Sequence, residues 1–224
     1  MKTVLFTGFD PSYFPLAKLT IPLMRDYADR HGMEMAVFTV PPEGLNIYWT
    51  GVARGLWLLR EGYDRIMYLD VDQMITNQSG SFAGVPMTGF HASRDWGADA
   101  DAAEPWKFSM CGFLAHQNCA MLFEEVLAME PEWRAKPFQE QGPFQEVVRG
   151  LFRDMPHMRH MLPGETWRGF INIHQRRTFN AVPDQVCPGH VPEPWQPGDF
   201  AAHLTMVGLE RRIEIFHELM KLIG

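Results

Sequence analysis

The chain is poor in cysteine, carries more acid than base, and has no long apolar run. Only Cys111, Cys119 and Cys187 occur among its 224 residues. An odd, sparse set without short pair spacing argues against a disulfide framework and for reduced thiols in a cytoplasmic setting. Cys111 and Cys119 lie in apolar surroundings and read as small core residues. Lys and Arg total 20 against 27 Asp and Glu, a formal charge of −7. That balance speaks against a protein whose whole surface is a basic nucleic-acid footprint, though a local patch can sit on an acidic body. No window approaches the ~18 uninterrupted apolar residues of a membrane span. The start, Met1 to Phe6, lacks the apolar core and small-residue cleavage site of a signal peptide. There is no internal repeat, no low-complexity tail and no clean linker. With 46% hydrophobic residues a sizeable core can form, and the expectation is a soluble, cytoplasmic, single-domain protein.

Along the chain, Val4-Leu5-Phe6 predicts a first buried strand, followed by the loop Thr7-Gly8-Phe9-Asp10. A helix follows from about Pro15 to His31, with Leu16, Leu19, Leu23 and Tyr27 at helical spacing and Gly32 closing it. Met35 to Phe38 reads as a second strand. Trp49 to Glu61 reads as a helix ending at Gly62, and a third strand runs into Asp70. This order predicts an α/β sheet. The second half is less regular. Thr88-Gly89-Phe90 and Gly112 to Ala115 are candidate strands, separated by a polar loop from Asp95 to Glu104. Asn118 is placed to cap a helix through Met129, and another helix covers Glu140 to Phe152. Trp167 to Ile173 reads as extended, and Pro183 to Pro197 as loop. A short strand, Phe200 to Leu204, precedes a closing amphipathic helix from Gly208 to Ile223.

The chemistry concentrates in Arg65-Ile66-Met67-Tyr68-Leu69-Asp70-Val71-Asp72. An apolar segment of strand length ends in two carboxylates, one residue apart. The carboxyl edge of a parallel sheet opens into a crevice where ligands bind. Two aspartates there suit a hard divalent cation, which takes oxygen ligands and offsets their repulsion. Near the other end, Phe200-Ala201-Ala202-His203 is an apolar strand ending in an imidazole. Placed beside the carboxylates, His203 completes a set suited to Mn²⁺ or Mg²⁺, the nitrogen favouring Mn²⁺.

Four segments in order resemble the metal-dependent, retaining glycosyltransferases of the GT-A fold, most closely the GMA12/MNN10 galactosyltransferase/mannosyltransferase family. They are Tyr63 to Asp72, Cys111 to Asn118, the pair Glu140-Gln141, and Gly198-Asp199-Phe200-Ala201-Ala202-His203. The resemblance implies an α/β fold of GT-A type, a Rossmann-like nucleotide-binding mixed sheet flanked by helices. About 1–77 would be the nucleotide-binding half, and about 78–224 the acceptor-side half with the C-terminal metal-ligand segment. It implies transfer of a sugar from a nucleoside diphosphate sugar, UDP-sugar favoured over GDP-sugar, to an acceptor hydroxyl with retention. Asp70, Asp72 and His203 would hold the metal, with Asp70 also touching the ribose. Thr7, Gly8, Phe9 and Asp10 would face the base and ribose, and Arg54 would reach the nucleotide. Asp95, Glu140 and Gln141 would line the transferred sugar and acceptor. Gly112 would let the backbone approach the sugar. Where the family's strand has an asparagine, this chain has Met110, which leaves the sugar's identity open.

Trp96, Trp106, Trp167 and Trp195 are candidates for an acceptor groove. Arg153, His157, Arg159, His160, Arg168, Arg176 and Arg177 form a basic stretch. It reads as solvated surface or as a contact for a phosphate-bearing acceptor, lipid-linked or nucleic acid. Two other readings stand beside the transferase. A haloacid-dehalogenase-like phosphatase also puts Asp-X-Asp after a buried strand, but here His203 replaces its later acid. A non-catalytic nucleotide- or glycan-binding module, supported by Met110 in place of the family's asparagine, would keep the fold without turnover.

Overall fold

The computed structural model describes residues 1–82, 89–95, 106–137, 139–191 without 155–170, and 193–223. Its first half follows the periodicity of the sequence. β1 (Thr3–Gly8), α1 (Phe14–Arg30), β2 (Glu34–Phe38), α2 (Thr50–Arg60) and β3 (Arg65–Leu69) alternate in chain order. Pro15 sits in the first turn of α1, where its missing N–H costs nothing. Gly32 and Gly62, at φ +64° and +86°, take the left-handed conformation that ends each helix. Beyond β3 come β4 (Gln73–Ile75), β5 (Phe90–Arg94), β6 (Phe108–His116), α3 (Ala120–Ala128), α4 (Glu130–Trp133) and α5 (Gln141–Asp154). β7 (Ile171–His174), β8 (Ala201–His203) and α6 (Leu209–Ile223) complete the described elements.

Six strands form one mixed sheet in the order β2-β1-β3-β6-β5-β7. β1 runs parallel to β2 and β3; β6 runs antiparallel to β3 and β5; β7 lies parallel to β5. β4 and β8 form a separate antiparallel ribbon. Both faces of the sheet are covered, and side chains alternate between them. Val4, Phe6, Ile66, Tyr68, Phe113 and Ala115 enter a core shared with Leu56, Phe123 and Phe144 from α2, α3 and α5. Leu5, Met67, Leu69 and Leu114 point the other way, into a core with Met24 and Tyr27 of α1 and Phe200. α6 closes a third cluster with Met74 and Ala202 of the ribbon strands and with Leu204, the residue after β8. Among the described residues no helix is long and apolar enough to cross a membrane.

Several expectations shift. β6 starts at Phe108, before the predicted Gly112, and β5 starts at Phe90. Asn118 does not cap α3. A 3-10 turn, Gln117–Cys119, leads into that helix, and the Asn118 amide oxygen accepts the Gly89 N–H instead. Trp195 is buried and its indole N–H donates to Thr76 Oγ1, so it anchors a loop and offers no open stacking face. Thr88, residues 96–104, Trp96, His157, Arg159, His160, Trp167 and Arg168 lie outside the described residues.

Candidate active site

The Asp70-Val71-Asp72 turn is held at four points. Asp70 N–H donates to Cys111 O at 2.7 Å, Gln73 N–H to Asp70 O at 2.9 Å, and Leu204 N–H to Asp72 O at 2.9 Å. From α1, the buried Thr20 hydroxyl donates to Val71 O at 2.7 Å. The turn's three carbonyls and the Asp70 N–H are thereby satisfied within the protein, and both carboxylates are fixed at the carboxyl end of β3. The ribbon brings in the third group: His203 Nε2 lies 3.4 Å from Asp72 Oδ1, and His203 Nδ1 contacts Asn180 Oδ1 at 2.8 Å.

One ligand atom each from Asp70, Asp72 and His203 fall within 4.8 Å of one another. Asp72 Oδ1 is buried and has no hydrogen-bond partner. Two carboxylates and an imidazole, one oxygen of them unsatisfied, fit a divalent cation that takes oxygen and nitrogen ligands. Asp72 Oδ2 accepts from Arg212 Nη1 at 2.7 Å, and Asp70 Oδ1 accepts from the Tyr68 hydroxyl at 2.6 Å.

The electrostatics are those of crowded acid. Burial, reinforced by the Asp72 charge, raises the Asp70 carboxyl to about 8. Burial works the same way on Asp72, but His203 and Arg212 outweigh it and hold that carboxyl below its ordinary value. Burial opposes protonation of His203, yet Cys111 and Asp72 beside it prevail and hold the imidazole well above its usual value. Glu140 is pushed up to about 7 by burial.

Asp70, Asp72, Glu140 and Arg212 line a cavity of about 600 Å³ together with Gly8, Phe9, Asp10, Tyr13, Tyr48 and Tyr68, among others; His203, beside Asp72, is not among the lining residues. Of the residues expected at the nucleotide, Gly8, Phe9 and Asp10 line it. Thr7 is fully buried in β1 one residue earlier. The carboxylate of Asp10 is turned back on its own loop, accepting the Ser12 N–H at 2.9 Å. Arg54 packs its guanidinium over Phe38, 4.9 Å from the ring centre, and is not among the lining residues. The space a Cβ would need at Gly112 is taken by Gln73, Leu69 and Phe179, so the close approach there is made by the protein itself. Gln141 Nε2 donates to Asp95 Oδ2 at 2.9 Å, which brings two of the expected catalytic residues together, next to Glu140 in sequence.

Three contributors had no local signal. Arg212 is one of two adjacent arginines on an amphipathic helix, Asn180 lies in a loop, and Thr20 is in the middle of α1. Only the fold shows that each touches the Asp-Val-Asp turn or His203.

Solved structures share this architecture. A glycosyltransferase involved in the glycosylation of the major capsid of PBCV-1 superposes with a TM-score of 0.68 at 16% identity, covering 97% of this chain and 100% of that one. The glycosyltransferase GlyE of Streptococcus pneumoniae TIGR4 gives 0.57 at 12% identity, over 98% of this chain and 60% of GlyE. The galactosyltransferase LgtC, solved with donor and acceptor sugar analogues, gives 0.50 at 15% identity, over 96% and 95%. By sequence, no protein-family model matches the chain and no curated protein does. The fold is thus a single mixed α/β domain of the GT-A glycosyltransferase type.

Proposed function

We propose that this protein is a metal-dependent glycosyltransferase that moves a sugar from a nucleoside diphosphate sugar to an acceptor hydroxyl. The observation that carries this reading is the convergence of Asp70, Asp72 and His203, with ligand atoms within 4.8 Å, where the two aspartates line a large cavity beside the ends of β1 and β3. Mn²⁺, or Mg²⁺, held there would screen a diphosphate and meet the charge that grows on it as the sugar leaves. The chain's own residues do the rest. Gly8, Phe9 and Asp10, with Tyr13 and Tyr48, bound the cavity where a base and ribose would lie. Tyr68 orients Asp70 through its hydroxyl, and Asn180 orients His203. Preorganised polar groups of this kind meet developing charge without rearranging. Asp95, Glu140 and Gln141 take the sugar and acceptor side, the first and last already hydrogen-bonded.

Finer features belong to the same reading. Membership of the GMA12/MNN10 group, retention and a preference for UDP rest on the order of the four motif segments. So does the division into a nucleotide half before about residue 77 and an acceptor half after it. Cytoplasmic placement rests on the sparse free thiols. A glycan acceptor is favoured over a nucleic acid or a lipid phosphate, because the described part of the basic stretch is engaged internally. Arg177 pairs with Asp199 at 2.6 Å, and Arg176 Nε donates to Asp95 O at 3.0 Å. The phosphatase reading is disfavoured by an imidazole standing where it needs an acid. The binding-module reading loses its main support, since the Met110 side chain is buried in the aromatic core.

The test is a thermal-shift comparison of UDP and GDP with and without Mn²⁺ or Mg²⁺. A ligand that binds only the folded form stabilises it by about 2.7 kcal/mol at a hundredfold excess over Kd. Stabilisation by nucleotide should require metal and disappear in Asp72→Ala. Absence of any shift with every nucleotide and metal would end the transferase reading. Turnover of a nucleotide-sugar against a glycan panel then separates an enzyme from a binding module.

A further inference from the structure

Asp72 has a neighbour at each oxygen before any ligand arrives. One oxygen lies beside His203, and the other accepts from Arg212 at 2.7 Å. Both side chains of the Arg212–Asp72 pair are close to nine-tenths buried, 12% and 11% exposed. The guanidinium is set in place from three sides. Its Nε donates to Val207 O at 2.8 Å, its Nη1 reaches Asp72, and it lies over the Tyr13 ring, 5.3 Å from the centre. Arg212 also lines the cavity. Among the described lining residues there are four carboxyl groups, Asp10, Asp70, Asp72 and Glu140, and one cation, Arg212.

That arrangement has a consequence for ligand binding. A buried carboxylate must be compensated, and here the compensation is an arginine. A divalent cation drawn to the same carboxylate would stand beside a fixed positive charge in a poorly solvated place, and the two would repel. A diphosphate changes the balance. It brings several negative charges and oxygens of the geometry a guanidinium pairs with most readily.

We propose that Arg212 is a built-in counter-charge that competes with the divalent cation for Asp72, so that the cation binds weakly until a nucleoside diphosphate draws the guanidinium away. This rests on the transferase reading. It adds that cation and nucleotide bind with positive coupling through one ion-pair exchange, Arg212–Asp72 giving way to Arg212–diphosphate. Coupling of this kind is reciprocal, so each ligand strengthens the other by the same factor.

The experiment is a calorimetric titration of Mn²⁺ into the full-length protein without nucleotide, repeated with UDP present, for the wild type, Arg212→Met and Arg212→Lys. Melting curves establish that each variant is folded. Without nucleotide, Arg212→Met should bind Mn²⁺ about tenfold more tightly than the wild type, a typical size for such coupling. Arg212→Lys should fall between them. The gain in Mn²⁺ affinity on adding UDP should be largest in the wild type. Equal or weaker Mn²⁺ binding by Arg212→Met overturns the competition, while UDP-dependent Mn²⁺ binding by the wild type still upholds the transferase. Failure of the wild type to take up Mn²⁺ with or without UDP overturns both. A readout that needs no methionine variant is the ¹⁵Nε resonance of Arg212, assigned by its disappearance in Arg212→Lys. It should move when Mg²⁺ and UDP are added together and hold still for UDP alone in chelator. A resonance unchanged by Mg²⁺ with UDP overturns the exchange.

Discussion

Gln73 and His203 face each other across the β4–β8 ribbon. Because Gln73 follows Asp72 directly, this single register places the imidazole beside a carboxylate far away in the chain. The ribbon is only three residues long on each strand, and it is tied down from outside. His203 N–H donates to Ala181 O at 2.8 Å, and the Gln73 side chain donates to Phe179 O. A slip of one residue would turn His203 to the opposite face, so the loop from Phe179 to Ala181 guards the site's geometry.

Asn180 in that loop accepts from His203 Nδ1 at 2.8 Å, which leaves Nε2 toward Asp72. Partners of this kind orient a ligating imidazole, and their loss costs about 10–100-fold in metal affinity. Asn180→Leu should therefore weaken Mn²⁺ binding by about that factor in the presence of UDP, with a melting temperature close to the wild type. Unchanged affinity would mean that the ribbon alone orients the ring.

Gly8 ends β1 at the cavity wall. A Cβ there would stand 2.3 Å from Thr50 Cγ2, at the start of α2. Gly8→Ala should cost about 1–3 kcal/mol, the usual penalty for forcing a methyl into a filled space. Thr50→Ala removes the opposing methyl, and the Thr50 hydroxyl it also removes is buried without a partner. The double variant should recover most of the loss in urea denaturation. Simple additivity of the two changes would show that the clash is relieved elsewhere.

His116, buried at the end of β6, has its imidazole lowered to about 4, first by burial and then by the Arg65 charge beside it. The unfolded chain takes up this proton near 6.5, before the folded form does. Stability is therefore full above about pH 6.5 and falls as pH drops toward 4, by up to about 3 kcal/mol. His116→Gln should flatten the denaturation midpoint between pH 6.5 and 4 relative to the wild type. An identical slope in both would assign the acid sensitivity to other groups.

How much of this was written in the sequence depends on what each residue had to signal. β1 through β3 were legible because apolar spacing, Pro15, Gly32 and Gly62 all agree. β6 was cut short because Ser109 and Gly112 interrupt the apolar run, although both are buried in the sheet. The cluster of Asp70, Asp72 and His203 was legible because two apolar strand segments run into residue types able to ligate a metal. Arg212 was not, because an arginine that reaches a buried carboxylate looks, in sequence, like its neighbour Arg211, which pairs with Glu214 and Glu218 on the surface of α6. Tertiary contact alone separates them.

Gln141 joins two segments that the sequence kept apart. Its Nε2 donates to Asp95 Oδ2 at 2.9 Å, and its Oε1 accepts the Met110 N–H at 3.3 Å. One side chain at the start of α5 thus positions the end of β5 against β6. If Asp95 serves the sugar and acceptor, Gln141 acts through it as a positioning residue. Gln141→Ala should then lower kcat for sugar transfer by up to about a hundredfold, the scale expected when a reacting group is displaced by an ångström. The metal-dependent shift with UDP should stay intact, since Asp70, Asp72 and His203 are held by other bonds. Gln141→Glu would set a carboxylate against that of Asp95 and should lose at least as much activity as the alanine. A parallel loss of UDP binding in Gln141→Ala would assign Asp95 to the donor rather than the acceptor.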